Sequence, residues 1–168
     1  MTPLPLFSTI EGAFRARNWH YTTVVDQWVV ESLFDAYHTK VRVHVQAFPE
    51  IRAVSAVGYA SGKVPPARQG LISEMLMRLN QQLTVGNFEM DYDSGSVFFR
   101  TTNLFETPDG SAEIISGLVH STIAEVDRLT PFLTLLLRMP VEELSRLNLK
   151  LFLQREDLLP PVVLNPSS

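Results

Sequence analysis

Apolar and polar positions along this chain switch between two periods, and turn residues mark each change. The densest signals lie between residues 65 and 102. Val64-Pro65-Pro66 ends whatever precedes it. Proline suits a first helical turn, where its missing N–H has no helical partner to lose. Ile72, Met75, Leu76, Leu79 and Leu83 then share one stripe at the 3.6-residue period, with Ser73, Glu74, Arg78 and Gln81 opposite. Met77 points into the polar side. It is either a singly exposed apolar side chain or a soft contact for a partner. After Val85-Gly86 the period becomes two. Phe88, Met90 and Tyr92 face one way, Glu89 and Asp91 the other. Asp93-Ser94-Gly95-Ser96 is turn chemistry, and residues 97–102 return as a second strand. A two-residue loop would set Glu89 opposite Arg100, a pair worth roughly 0.2–1 kcal/mol. A bulge at Gly95 would shift that pairing by one.

Upstream, residues 4–17 predict a short amphipathic helix, with Leu6, Ile10, Ala13, Phe14 and Arg17 on one side and Ser8 as its cap. Residues 21–25 and 28–34 are rich in β-branched and aromatic side chains. Asp26-Gln27 between them is either a tight turn or the middle of one long strand. Residues 40–47 alternate most cleanly. Val41, Val43, Val45 and Ala47 lie on one face, and Lys40, Arg42, His44 and Gln46 on the other. Such alternation predicts a sheet with one packed and one wet face, as antiparallel pairing allows. Pro49-Glu50 turns the chain. Residues 53–60 form a further strand, with Gly58 where another backbone or a ring is expected to approach closely.

Downstream, Ser111 is the predicted cap of a third helix. Its apolar face carries Ile114, Ile115, Leu118, Val119, Thr122, Ile123, Val126 and Leu129. Pro131 and Pro140 are expected to break the helical run into pieces. Between them Phe132, Leu133, Leu135, Leu136 and Leu137 crowd every side of a short segment. A last helix over residues 141–152 stripes Leu144, Leu147 and Leu151, and a proline-rich end follows.

The order α-β-β-β-α-β-β-α predicts a two-layer α+β sandwich, an antiparallel sheet of about five strands with helices on one face. The expected division is an α+β domain over residues 1–138, with a C-terminal helix and proline-rich tail, residues 139–168, packed on it. The run Arg78-Leu79-Asn80, Val85-Gly86-Asn87-Phe88-Glu89-Met90-Asp91-Tyr92-Asp93-Ser94-Gly95 and Phe99-Arg100-Thr101-Thr102 resembles the YbjN family. That family has a helix ending in R-x-N, then G-N-F-E-hydrophobe-D, an acidic glycine turn, and a strand ending in R/K-T. Lys63-Val64-Pro65 resembles the start of the family's helix, and Val126-Asp127-Arg128 with Pro131 its third helix. The similarity spans roughly residues 19–138 and is most like the cyanobacterial branch. The family consists mainly of uncharacterised proteins and proposed sensory-transduction regulators. The resemblance implies a fold like that of type III secretion chaperones, small homodimers that bind extended segments of client proteins. The segment after Pro140 departs from the usual family length.

Composition narrows the function. A chain of 168 residues buries about 70% of its unfolded surface without a staple. It has no cysteine, which removes disulfides and thiolate chemistry and fits a reducing compartment. A net charge of −4 without a Lys/Arg cluster argues against nucleic acid. The first residues lack a signal peptide's basic and apolar regions. No apolar run approaches the ~20 residues of a membrane span. A soluble cytoplasmic protein is expected.

No chemistry-bearing motif appears. His20, His38, His44 and His120 have no zincin spacing and read as solvated surface residues, with His120 beside Ser116, Asp127 and Arg128 on the polar side of its helix. Asp91-x-Asp93-x-Gly95 lacks a calcium loop's remaining ligands and reads as a hairpin. Glu142-Glu143 sits where a helix dipole favours acids. No nucleophile elbow or phosphate loop exists, and neither a cofactor nor a metal is expected. The reading is a non-enzymatic interaction protein, chaperone-like or regulatory, forming a homodimer that binds a protein partner. Partner contact is assigned to Arg42, His44 and Met77, and dimer contact to Phe132, Leu133, Leu136, Leu137, Leu144 and Leu147. The alternative is a small-ligand sensor with a pocket between the third helix and the sheet, around Tyr59, Phe99 and Trp28. An enzyme ranks third.

Overall fold

The computed structural model describes residues 4–161. Helix α1 (Pro5–Ala16) starts on Pro5 itself, without a side-chain cap. Ser8 therefore lies inside the helix and does not cap it. Leu6, Phe7, Ile10, Ala13 and Phe14 are buried. Strands β1 (Thr22–Val24) and β2 (Val29–Asp35) are separate and antiparallel, joined by a 3-10 turn over Val25–Gln27. Among the described residues the sheet thus has six strands. Strands β3 (Lys40–Phe48) and β4 (Ala53–Tyr59) follow. Helix α2 (Pro66–Asn80) leads to β5 (Asn87–Asp91) and β6 (Ser96–Leu104). The strand order is β1-β2-β3-β4-β6-β5, and every neighbouring pair is antiparallel.

The β5–β6 register differs from the two-residue loop expected. Glu89 lies opposite Phe98 and Asn87 opposite Arg100, which leaves a four-residue loop, residues 92–95. The side chain of Asp91 dictates this. Its carboxylate accepts bonds from the Asp93 N–H, the Ser94 N–H and the Ser94 hydroxyl. The Gly95 N–H closes the turn on the Asp91 carbonyl at 2.8 Å, with Gly95 at φ 68°. Glu89 and Arg100 still share a face and form an ion pair at 2.8 Å on the diagonal.

Helix α3 (Ala112–Arg138) is one continuous helix. Ser111 caps it, accepting from the Ile114 N–H. Pro131 does not break it. A proline inside a helix removes one backbone bond, yet Leu129, Phe132, Leu133 and Leu136 on both sides of it are buried in the core. That shared burial outweighs the local loss. Ile114, expected in the apolar face, is exposed, whereas Ser116 and Asp127, expected on the polar side, are buried. The helix does end at Met139-Pro140, where Met139 takes the extended conformation required before proline.

Beyond it the predicted last helix is two single turns, α4 (Val141–Leu144) and α5 (Leu149–Phe152). Asn148 interrupts the run and caps α5 through its side chain. Leu149 and Phe152 are buried, and Leu151 is exposed. The Phe152 ring meets Phe132 edge-on, with centroids 5.6 Å apart. The Arg68 guanidinium of α2 donates to the Leu136 and Met139 carbonyls and closes the end of α3.

Strand alternation sorts the sheet into two faces. The inner face carries Val30, Val41, Val43, Val45, Val54, Ala56, Val97, Phe99 and Phe88, all buried with α1, α2 and α3 in one core. Helix α3 and the sheet come close at Gly58. A Cβ there would sit 2.6 Å from the Thr122 methyl and 3.1 Å from a Val126 methyl.

Candidate functional site

The outer face of the sheet is built from the alternate residues. Across β2, β3, β4 and β6 the pairings Glu31↔His44, Leu33↔Arg42, His44↔Val57, Arg42↔Tyr59, Tyr59↔Phe98 and Val57↔Arg100 place one patch in register. Its centre is Tyr59. The ring meets His44 at 5.1 Å and Phe98 at 5.8 Å between centroids, and the Arg42 guanidinium lies 5.9 Å from its centre. Such cation–π contacts hold a guanidinium in place without neutralising it.

The charges around Tyr59 are mostly paired. Lys40 meets Asp35 at 2.6 Å, His44 Nε2 meets Glu31 at 3.4 Å, and Arg100 meets Glu89. Lys63 donates to the Ser96 hydroxyl. Among the described residues Arg42 forms no ion pair. Three shallow depressions meet here. One of about 380 Å³ is lined by Lys40, Arg42, Tyr59, Ser61, Lys63 and Ser96. A second, of about 260 Å³, takes in Glu31, His44, Ser55, Val57, Tyr59 and Arg100. A third, of about 600 Å³, lies toward β1, among His20, Tyr21, Glu31, Leu33 and Arg42. Arg42 and Leu33 separate the first from the third, and Tyr59 separates the first from the second. Leu33 is 62% exposed beside Arg42.

The expected partner residues Arg42 and His44 therefore stand together on this face. Met77 does not join them. It is 65% exposed on α2, over a separate depression with Ser73, Phe88, Met90 and Tyr92. Of the residues assigned to a dimer contact, Phe132, Leu133 and Leu136 are buried within this chain's own core. Leu137, Leu144 and Leu147 pack partly buried against the same core. The apolar surplus read from the sequence is thus taken up largely by the chain's own C-terminal turns.

The three residues expected around a pocket between α3 and the sheet do not converge. Strand alternation places Tyr59 on the outer face and Phe99 fully buried on the inner one, while Trp28 packs against Phe7. At Gly58 the helix and sheet touch.

Two arrangements escaped the sequence. The first joins His38 and Asp127, 89 positions apart. The His38 N–H donates to Asp127 Oδ1 at 2.6 Å, and its ring Nδ1 lies 3.2 Å from Oδ2. Asp127 is 4% exposed. The pair fastens the β2–β3 turn to α3, just before the strand that carries Lys40, Arg42 and His44. No spacing rule finds such a contact. The second is Asn80. Its side-chain nitrogen donates to the Phe88 carbonyl at 3.0 Å, and its oxygen accepts the Phe88 N–H at 2.7 Å. The amide thereby occupies part of the free edge of β5 and blocks strand addition there. This gives the R-x-N followed by G-N-F sequence a structural cause.

The acidic turn behaves as a hairpin. The Ser94 hydroxyl, followed by the Asp93 and Ser94 backbone N–H groups, holds the Asp91 carboxyl below its ordinary pKa. Among the described residues no three His, Asp or Glu side chains converge as a metal site. No helix among them is long and apolar enough to cross a membrane.

No family model matches the chain, and no curated protein does. Among solved structures it resembles a chain of the crystal structure of the ExsC–ExsE complex, with a TM-score of 0.58 at 13% identity, over 80% of this chain and 95% of that one. It also resembles YbjN from E. coli, with a TM-score of 0.52 at 10% identity, over 71% of this chain and 86% of that one. At these identities the likeness is one of architecture. The molecule thus shares its α+β architecture with YbjN and with a chain of the ExsC–ExsE complex, and among its described residues six antiparallel strands are covered by helices on one face.

Proposed function

We propose that this chain is a non-enzymatic, chaperone-like or regulatory module that binds a segment of a protein partner on the outer face of its sheet. The observation that carries the reading is that face itself. It is an uncovered patch with an arginine, a tyrosine and an exposed leucine where three depressions meet. Arginine and tyrosine are the residues from which interface hot spots are most often built. The architectural likeness to a chain of the ExsC–ExsE complex, itself an assembly of two proteins, supports the same reading. The chain is also proposed to be cytoplasmic and to form a homodimer through its C-terminal turns. There Val141 and Leu151 are exposed beside the half-buried Leu137, Leu144 and Leu147.

The test is affinity. A partner recovered from the native host by cross-linking is titrated against the wild-type chain and against Arg42→Ala/His44→Ala. Loss of about tenfold or more in affinity, with the native circular dichroism spectrum kept, is the expected result. Unchanged affinity removes the outer face as the docking surface. Sedimentation that shows only monomer at high micromolar concentration removes the homodimer.

A further inference from the structure

The outer face also specifies the chemistry of what it binds. This step rests on the proposed function above. Around the first depression Lys40, Arg42 and Lys63 project from β3 and from the loop before α2, with the Ser61 and Ser96 hydroxyls between them, and no carboxylate lines it. The protein as a whole is acidic, with a net charge of −4, so this corner runs against its overall charge. Lys40 and Lys63 are partly committed, to Asp35 and to Ser96. Arg42 is not. Its guanidinium rests against Tyr59 with its hydrogen-bonding edge unused among the described residues. A planar guanidinium held this way is suited to a carboxylate, which it can bond through two parallel N–H donors. Directly across the β2–β3 pair stands Leu33, exposed to solvent and apolar.

We propose that the Arg42–Tyr59–Leu33 junction receives an acidic side chain, flanked by an apolar one, on an extended segment of a protein partner. In an extended segment, residues two apart share a face. The acid lies on Arg42 and the apolar residue on Leu33.

The probes are two acetylated, amidated pentapeptides, Thr-Leu-Thr-Glu-Thr and Thr-Leu-Thr-Gln-Thr, with inorganic phosphate as a third arm. Each is titrated into the ¹⁵N-labelled full chain while the amides of Leu33, Arg42, Tyr59, Ser61 and Gly62 are followed. The Glu peptide is expected to bind about three- to fivefold more tightly than the Gln peptide, the upper part of the range of an exposed ion pair. Arg42→Glu is expected to abolish that preference. Arg42→Lys, which keeps the charge and loses the fork, should retain only part of it. Equal binding of the Glu and Gln peptides overturns acid recognition while leaving the face a peptide surface. No shift at these amides with either peptide overturns the inference, and the partner titration above then judges the proposed function separately. Phosphate binding as tight as the Glu peptide, with no effect of Leu33→Ser on either, also overturns it in favour of a simple anion site.

Discussion

Removing the Asp127 carboxylate should loosen the strand that carries the candidate site, and the size of the effect follows from the contacts. Asp127 is buried on α3 and accepts two bonds from His38, one from the backbone N–H at 2.6 Å and one at the ring nitrogen at 3.2 Å. A hydrogen bond to a charged group contributes roughly 1.5–3 kcal/mol, and the half-buried ring contact is worth about 1 kcal/mol. Asp127→Ala is therefore expected to cost about 3 kcal/mol and His38→Ala, which keeps the backbone donor, about 1 kcal/mol. Because both substitutions remove the same ring contact, the double variant should cost about 3 kcal/mol rather than the sum. For 168 residues the unfolding entropy is about 0.35 kcal/mol/K. Asp127→Ala should thus lower Tm by about 9 °C. Urea denaturation followed by circular dichroism reads the free energies, and amide exchange at residues 36–40 reads the local loosening. A cost below about 1 kcal/mol for Asp127→Ala, or strictly additive single costs, would refute the fastening role.

Further outcomes follow from the packing. Gly58→Ala places a methyl against Thr122, where overpacking costs about 1–3 kcal/mol. Adding Thr122→Ser deletes the offending methyl, keeps the hydroxyl bond to Leu118, and should recover part of that loss in the same denaturation assay. Asn80→Leu removes both bonds to Phe88, costs about 2 kcal/mol, and uncovers the edge of β5. Light scattering at high concentration should rise above that of wild type, and an unchanged value counts against an edge-blocking role. Asp91 has a carboxyl pKa lower folded than unfolded. Its contribution is present above the ordinary carboxylate value near ~4 and is lost as pH falls through the folded value. Asp91→Asn should accordingly melt below wild type at pH 6 and converge on it toward pH 3, as followed by Tm against pH.

The alternation of residues 40–47 was enough to separate the two faces of β3, because strand period is a local property of the backbone. The same holds for Ile72, Met75, Leu76 and Leu79 on the stripe of α2 and for Ser111 as a cap, whose bonds reach only a few residues along the chain; Leu83, expected on that stripe, lies beyond the helix end at Asn80. On that footing the two-layer α+β architecture and the placing of Arg42 and His44 on the wet face were legible in the chain itself. Other features depend on partners distant in sequence. Pro131 stays inside α3 because Phe132, Leu133 and Leu136 are wanted in the core, a demand that local helix rules do not contain. The same burial removed these side chains from the free surface. Tyr59 and Phe99, expected around one pocket, part company because the β4–β6 register sets them on opposite faces. Asp127 reads as a surface acid on helical spacing alone. It is buried because the β2–β3 turn, 89 residues earlier, folds back to donate to it. Periodicity determined which way each side chain points along its own element. Only the tertiary structure decided what stands in front of it, since contact energies depend on distances that the chain order does not carry.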